Sequence, residues 1–173
     1  GYPEAVSRTT EDRRRAWFES YITTILQRDI RDLASIEGLT SLPRLLVIIA
    51  SRAPALLNFS ELSRTLAMPQ STLKRYMTLL EATFLIQHLP AWSGNLGKRL
   101  VKASKLVMSD TGLMSHLLGA NKERLVAGGF IGPLLENFVV LELTKQITWS
   151  TIKPQMFHFR TQTGQEVDIV LED

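Results

Sequence analysis

Two groups of residues in this sequence have the types and spacing that chemistry needs. The first comprises Gln70, Ser71, Thr72, Lys74, Arg75 and Thr78, which offer amide, hydroxyl and cationic donors along one predicted helix. Such donors bond phosphate oxygens and base edges, and the first residues of a helix laid into a major groove are the ones that reach them. Lys98, Arg99, Lys102 and Lys105 come soon after, and no acid occurs from Ala82 to Ser109. Ser60 to Lys105 carries a net charge of +5 while the remainder of the chain sums to −2, a local field suited to a phosphate partner. Docking onto another protein is the other use of such a module.

The second group is a pair of carboxylates. Glu136 falls on a helix face with Val139, Val140 and Leu143, and Asp168 on an alternating strand, on the side of Glu166 and Val170. A helix glutamate and a strand aspartate, completed by Glu-x-Lys on the next strand, would hold Mg²⁺ with a lysine beside the attacking water. No Glu-x-Lys comes after them, because the sequence ends at Glu172-Asp173. The competing reading is a strand-edge carboxylate and a helix surface acid.

Other arrangements fail on chemistry. Gly94-Asn95-Leu96-Gly97-Lys98 is not a phosphate loop, since Trp92 stands where the first glycine belongs and Arg99 where a Mg²⁺-binding hydroxyl belongs. His88, His116 and His158 have no ligand spacing, and the lack of cysteine removes thiolate metal sites and disulfides. Asn58-Phe59-Ser60 matches a glycosylation sequon by chance. With neither a signal pattern nor a membrane-length apolar run, a cytoplasmic location is expected.

The elements that must position these groups are set by periodicity. Thr10 opens a helix whose apolar face carries Trp17, Tyr21 and Ile25 beside Phe18, Ile22 and Leu26, and a short helix is predicted over Ile30 to Ile36. Pro43 sits in the first turn of the next helix, with Leu45, Leu46, Ile48 and Ile49 as its buried stripe. Ser60 is predicted to cap a helix through Leu66. Met68-Pro69-Gln70 makes a turn, and a third helix runs to Glu81, with Leu62 and Leu66 facing Leu73, Tyr76, Met77 and Leu80. Phe84 to Leu89 and Leu100 to Met108 are the predicted strands of a basic hairpin.

Residues 41–120 are therefore expected to form a winged helix-turn-helix. After it, Asp110 caps a helix ending at Gly119, Pro133 opens a helix to about Gln146, and Gln155 to Arg160 and Gln165 to Leu171 form a hairpin around Thr161-Gln162-Thr163-Gly164. The predicted fold class is α+β: a mostly helical winged helix succeeded over 121–173 by the start of an α/β unit, with a helical segment over 1–40. The first residue is Gly1 and the last strand lacks a closing turn, so a longer natural chain is expected on both sides.

Short stretches in fixed order carry a resemblance. They are Gly1-Tyr2-Pro3-Glu4, Arg28-Asp29-Ile30, Lys74-Arg75-Tyr76, Leu79-Leu80-Glu81, Phe84-Leu85-Ile86, Leu89-Pro90, Lys98-Arg99-Leu100-Val101-Lys102, Asp110-Thr111-Gly112-Leu113, Leu135-Glu136, Phe159-Arg160-Thr161 and Gly164-x-Glu166-Val167-Asp168. In these the chain resembles the C-terminal region of prokaryotic AAA-superfamily ATPases that carry a domain of unknown function. The resemblance implies an upstream ATPase domain, then a winged helix, then a restriction-endonuclease-like fold in which Glu136 and Asp168 take the helix-acid and strand-acid positions.

On that basis ATP and Mg²⁺ belong only to the full-length protein, and this fragment is expected to bind neither and to have no activity of its own. Duplex DNA is the leading partner. The alternatives are a protein-interaction or self-association module, with Trp17, Trp92 and Trp149 as anchors, and a Mg²⁺-dependent nuclease completed only in the longer chain.

Overall fold

Leu42, Leu45, Leu46, Ile49 and Ala50 recur at helical spacing, and all five are buried. They form the inner face of a helix, Leu42–Arg52, and contribute to the main hydrophobic core. The computed structural model describes residues 1–30, 39–127, 129–161 and 163–173, with the side chains of residues 39, 98, 100, 101 and 126 outside that description. Most of the helix expected over Ile30 to Ile36 lies outside the described residues.

In chain order the elements are α1 (Pro3–Val6), α2 (Glu11–Thr24, continued by a π-helical stretch Ile25–Asp29), a 3₁₀ turn Leu39–Ser41, α3 (Leu42–Arg52), β1 (Ala55–Leu56), α4 (Phe59–Leu66) and α5 (Gln70–Ala82). They continue with β2 (Ile86–Leu89), α6 (Leu96–Val101), β3 (Lys105–Met108), α7 (Thr111–Leu117), α8 (Lys122–Ala127), α9 (Ile131–Trp149), β4 (Gln155–Arg160) and β5 (Glu166–Glu172). The fold is α+β.

From α3 to β3 the order is helix, strand, helix, helix, strand, wing, strand. The last strand inserts between the other two: β3 pairs antiparallel with β1 (Leu56 opposite Lys105) and with β2 (Leu89 opposite Lys105, Ile86 opposite Met108). This is winged-helix topology. Leu62 and Leu66 of α4 and Leu73, Tyr76, Met77 and Leu80 of α5 are all buried, as their period requires. The cap of α4 is Asn58, whose side chain accepts from the Glu61 amide at 3.1 Å, and Ser60 lies inside the helix. Asn58 holds the extended backbone that a cap needs, and Glu61 stands three residues later as in a capping box.

The wing departs from the hairpin expected of it. Leu100 and Val101 end a short helix, α6, and only Lys105–Met108 is strand. The Arg99 amide donates to the Asn95 carbonyl at 3.1 Å, closing one helical turn where an extended strand was expected. Further along, Asp110 caps α7 by accepting from the Leu113 amide at 2.7 Å. α9 begins at Ile131, two residues ahead of Pro133, and runs to Trp149.

The C-terminal elements pack on the winged helix. Asn137 of α9, with no exposed surface, accepts from the Met108 amide (2.9 Å) and donates to the Met108 carbonyl (3.0 Å), continuing the strand's hydrogen bonding with a side chain. β4 joins the wing by its backbone. The His158 amide donates to the Pro90 carbonyl (2.9 Å) and the Trp92 amide to the His158 carbonyl (2.6 Å), with a parallel bridge between Ala91 and His158. Gly164 turns β4 into β5 at φ 89°, a left-handed backbone that glycine adopts without strain.

Candidate nucleic-acid interface and carboxylate–lysine cluster

The amphipathic period of α5 turns its buried stripe inward and leaves Gln70, Ser71, Lys74, Arg75 and Thr78 exposed, with Thr72 half-buried. Among the described residues neither Lys74 nor Arg75 forms an ion pair. Lys74 Nζ lies 5.9 Å from the centre of the Phe59 ring, and Gln70 donates to the Ser60 hydroxyl at 3.2 Å. Arg64 of α4 is exposed as well, and no acid lies between Gln70 and Leu80. The helix thus presents hydroxyl, amide and cationic donors to solvent along its first turns.

The wing cations do not share that fate. Arg99 places its two terminal nitrogens on the two carboxylate oxygens of Glu172, the second at 2.6 Å, and Trp92 Nε1 donates to the same carboxylate at 3.1 Å. Its guanidinium also lies over Phe157 (4.9 Å) and Trp92 (5.8 Å). Hydrogen bonding to Glu172 raises the Arg99 pKa, and the same bond holds the Glu172 carboxyl below its usual range. Lys102 Nζ stands 6.0 Å from the centre of the Phe159 ring. The Lys98 side chain lies outside the described residues.

Lys105 is only 2% exposed. Its ammonium donates to Glu136 Oε1 (2.7 Å), Asp168 Oδ1 (2.8 Å) and Glu166 Oε1, one N–H for each of three carboxylates. Burial alone would lower the Lys105 pKa, but its hydrogen bonds to Asp168, Glu136 and Glu166 outweigh it and hold it raised. Burial raises the Glu136 carboxyl against the opposing pull of Lys105, with Asp168 and Glu166 adding to the rise. A cation in this position has no bond left for a DNA phosphate. The expectation that Lys105 reaches phosphate therefore fails in this arrangement, for want of exposure and of free donors.

Alternation along β5 puts Glu166 and Asp168 on one side, and a β-bulge lies beside them. Phe157 pairs with Val170 and Phe159 with Val167, so His158 alone faces both Asp168 and Ile169. The extra residue breaks strict alternation. Asp168 turns to Lys105 beside Glu166, while its neighbour Ile169 packs with Met156 against Leu89, Val107 and Val140. Glu136 and Asp168, paired on sequence, do converge, and they line an open groove of about 520 Å³ with Leu135, Val139 and Ile169. The ammonium stands where a divalent cation would have to sit among them, and among the described residues no group of three or more His, Asp or Glu side chains is arranged to hold a metal. The set does not fit Mg²⁺ in this arrangement.

Sequence reasoning missed Glu166, Glu172, Asn137 and the structural use of Lys105. One signal was present: Lys105 opens a run of apolar residues, Leu106-Val107-Met108, where an unpaired charge is costly, and residues 161–173 carry four acids and no base to meet it. Of the three histidines, His158 is buried with Nε2 at 3.1 Å from the Ala103 carbonyl, and His116 stacks on Phe18 at 5.3 Å. His88 sits 3.9 Å from Glu81. Trp17 stacks on Tyr21 (5.1 Å) beside Tyr2, Trp92 joins the wing contacts, and Trp149 is exposed. Among the described residues no helix is long and apolar enough to cross a membrane.

Comparison with known proteins places these features in a family. The uncharacterized protein Rv2008c of Mycobacterium tuberculosis and the uncharacterized protein Mb2031c of Mycobacterium bovis are each 30% identical to this chain over 171 residues, 98% of its length. The chain spans 38% of the length of either relative. The crystal structure of the transcriptional regulator PA3341 aligns with 77% of this chain and 97% of its own at 16% identity, with a TM-score of 0.32. A domain of unknown function (DUF4143) matches residues 131–173. A second domain of unknown function (DUF8612) matches residues 1–124, the greater part of the sequence, and the chain belongs to that family.

Proposed function

We propose that this chain contacts duplex DNA through α5, as one module of a larger ATP-driven protein. The observation that carries the reading is the exposed, acid-free face of Gln70, Ser71, Lys74, Arg75 and Thr78 on the third helix of a winged-helix topology. Cations there approach phosphates, and the hydroxyl and amide groups of the first turn meet base edges. The larger assembly is supported by the resemblance to AAA-superfamily C-terminal regions and by relatives more than twice as long as this chain.

Titration of a labelled duplex by fluorescence anisotropy, at salt from about 25 to about 150 mM, tests the reading. Removing both charges (Lys74→Ala with Arg75→Ala) should flatten the slope of log K against log salt by about 2, at roughly 0.9 per phosphate contact. A double variant that matches the parent in affinity and slope would sink it.

A second reading, docking onto protein, is favoured by the wing, where Arg99 and Lys105 are turned to the hairpin, and by exposed Ile131, Leu135 and Phe138 on α9. Light scattering that showed stable self-association without DNA binding would favour it. The nuclease reading has the weakest support, since Lys105 fills the carboxylate set and, among the described residues, no Glu-x-Lys strand stands beside it.

A further inference from the structure

We propose that the β4–β5 hairpin is an internal polyanion that competes with nucleic acid for the wing. The inference rests on the DNA-contact reading of α5 and adds a second, masked half to the same surface. A wing beside a recognition helix commonly touches the flanking backbone, and this one carries four bases. The described ones are turned toward the hairpin.

The hairpin's carboxylates stand in for phosphates. Glu172 meets the Arg99 fork with both oxygens, the planar two-bond geometry that a phosphate also takes. Glu166 and Asp168 bond Lys105, and the Phe159 ring underlies Lys102. Residues 161–173 contain four acids and no base, so this strand has nothing of its own to neutralise them. The acidic strand and the basic wing satisfy each other.

The contact is also built to open. Two main-chain hydrogen bonds, Trp92 to His158 and His158 to Pro90, stitch the hairpin to the wing loop. Among the described residues His158, 2% exposed, has no hydrogen-bond partner for its Nδ1, a polar atom that gains one on release into water. Glu172 and Asp168 keep part of their surface in solvent, where a phosphate chain can approach and exchange partners. α9 keeps its own anchor through Asn137 and Met108, and release of the hairpin uncovers the seam of Met156 and Ile169 on Leu89, Val107 and Val140.

Glu172→Gln in the 173-residue chain breaks the bidentate pair and keeps the side chain's size. The inference expects DNA affinity to rise about fivefold to tenfold at low salt and the slope to steepen by about 0.9, one added phosphate contact. Arg99→Ala in that background should remove the gain. Hydrogen exchange on the unaltered chain provides the second readout: duplex DNA should speed exchange at the Trp92 and His158 amides. Unchanged affinity and slope in Glu172→Gln, with Lys74→Ala and Arg75→Ala still weakening binding, would refute the competition and leave α5 standing. Binding seen only in Glu172→Gln and lost with Arg99→Ala would support the competition and remove α5. No DNA binding by any form overturns both.

Discussion

Replacing Lys105 with methionine removes one charge while keeping a flexible stem of similar length, so the change isolates the ammonium from the packing around it. Two unit charges 2.7 Å apart, the Lys105–Glu136 separation, attract by about 6 kcal/mol at an effective dielectric near 20, before the cost of leaving water is counted. Deleting one member of a buried pair costs about 3–5 kcal/mol, because the partner's charge is left uncompensated. Here the three partners are partly exposed, and water can take over some of their solvation. The expected loss is therefore about 2–3 kcal/mol at pH 7.5.

The pH dependence gives the sharper test. The folded pKa of Lys105 is raised, so its stabilisation is fully present below the unfolded value of about 10.4 and fades only as pH climbs through the folded one. Titration of Lys105 itself therefore adds no pH dependence between pH 4.5 and 7.5. Glu136 also has a raised folded pKa, so its contribution is fully present below about pH 4.3 and is lost as pH rises through the folded value. Without Lys105 that value rises further, and protonation at pH 4.5 relieves the repulsion among Glu136, Glu166 and Asp168. The deficit of Lys105→Met should shrink by about 1 kcal/mol between pH 7.5 and 4.5. Urea titration monitored by circular dichroism measures it. A variant as stable as the parent at pH 7.5, or a deficit equal at both pH values, would refute the reasoning.

Further expectations concern the seams between elements. Asn137→Leu leaves the Met108 amide and carbonyl buried without partners and should cost about 2–5 kcal/mol in urea unfolding; a loss under about 1 would show that water replaces the side chain. Asp110→Ala removes the α7 cap and should cost about 1 kcal/mol, read as a lower Tm in calorimetry. Burial lowers the His158 pKa despite its bond to Ala103, so its share of stability is present above about pH 6.5 and lost as pH falls through the depressed folded value. His158→Gln should remove that share of the acid dependence and leave the share belonging to His116, which burial also depresses.

How much of this was legible depends on whether a residue's role is decided by its neighbours in sequence or in space. The packing of α4 on α5 was readable because Leu62, Leu66, Leu73, Tyr76, Met77 and Leu80 keep a helical period with no competing pattern. The cap at Asn58 was within reach of the same reasoning, since Glu61 stands at capping-box distance from it. α6 was not, because Leu96 to Val101 mixes glycine with apolar residues and the turn it forms is fixed by Arg99 meeting a residue 73 positions away. Nor was the full carboxylate set. Alternation already put Glu166 beside Asp168, but Lys105 meets Glu136 and Asp168 from 31 and 63 positions away, contacts that only the tertiary fold makes.

Charge shows the same division. A sum over Ser60 to Lys105 counts seven bases as one field, but a field acts on a partner only through charges that face it. Arg99 and Lys105 are already opposed at contact distance by Glu172, Glu136, Glu166 and Asp168, so from outside they register as neutral or acidic surface. Among the described residues, the charges still turned to solvent are Arg64, Lys74 and Arg75 on α4 and α5, with Lys102 exposed beside the Phe159 ring. If α5 contacts DNA as proposed, the basic wing, the densest run of cations in this part of the sequence, is the weaker phosphate site while the C-terminal strand is docked. Substitution on α5 should report first on DNA contact, and substitution on the wing should report first on the joint between the winged helix and the β4–β5 hairpin.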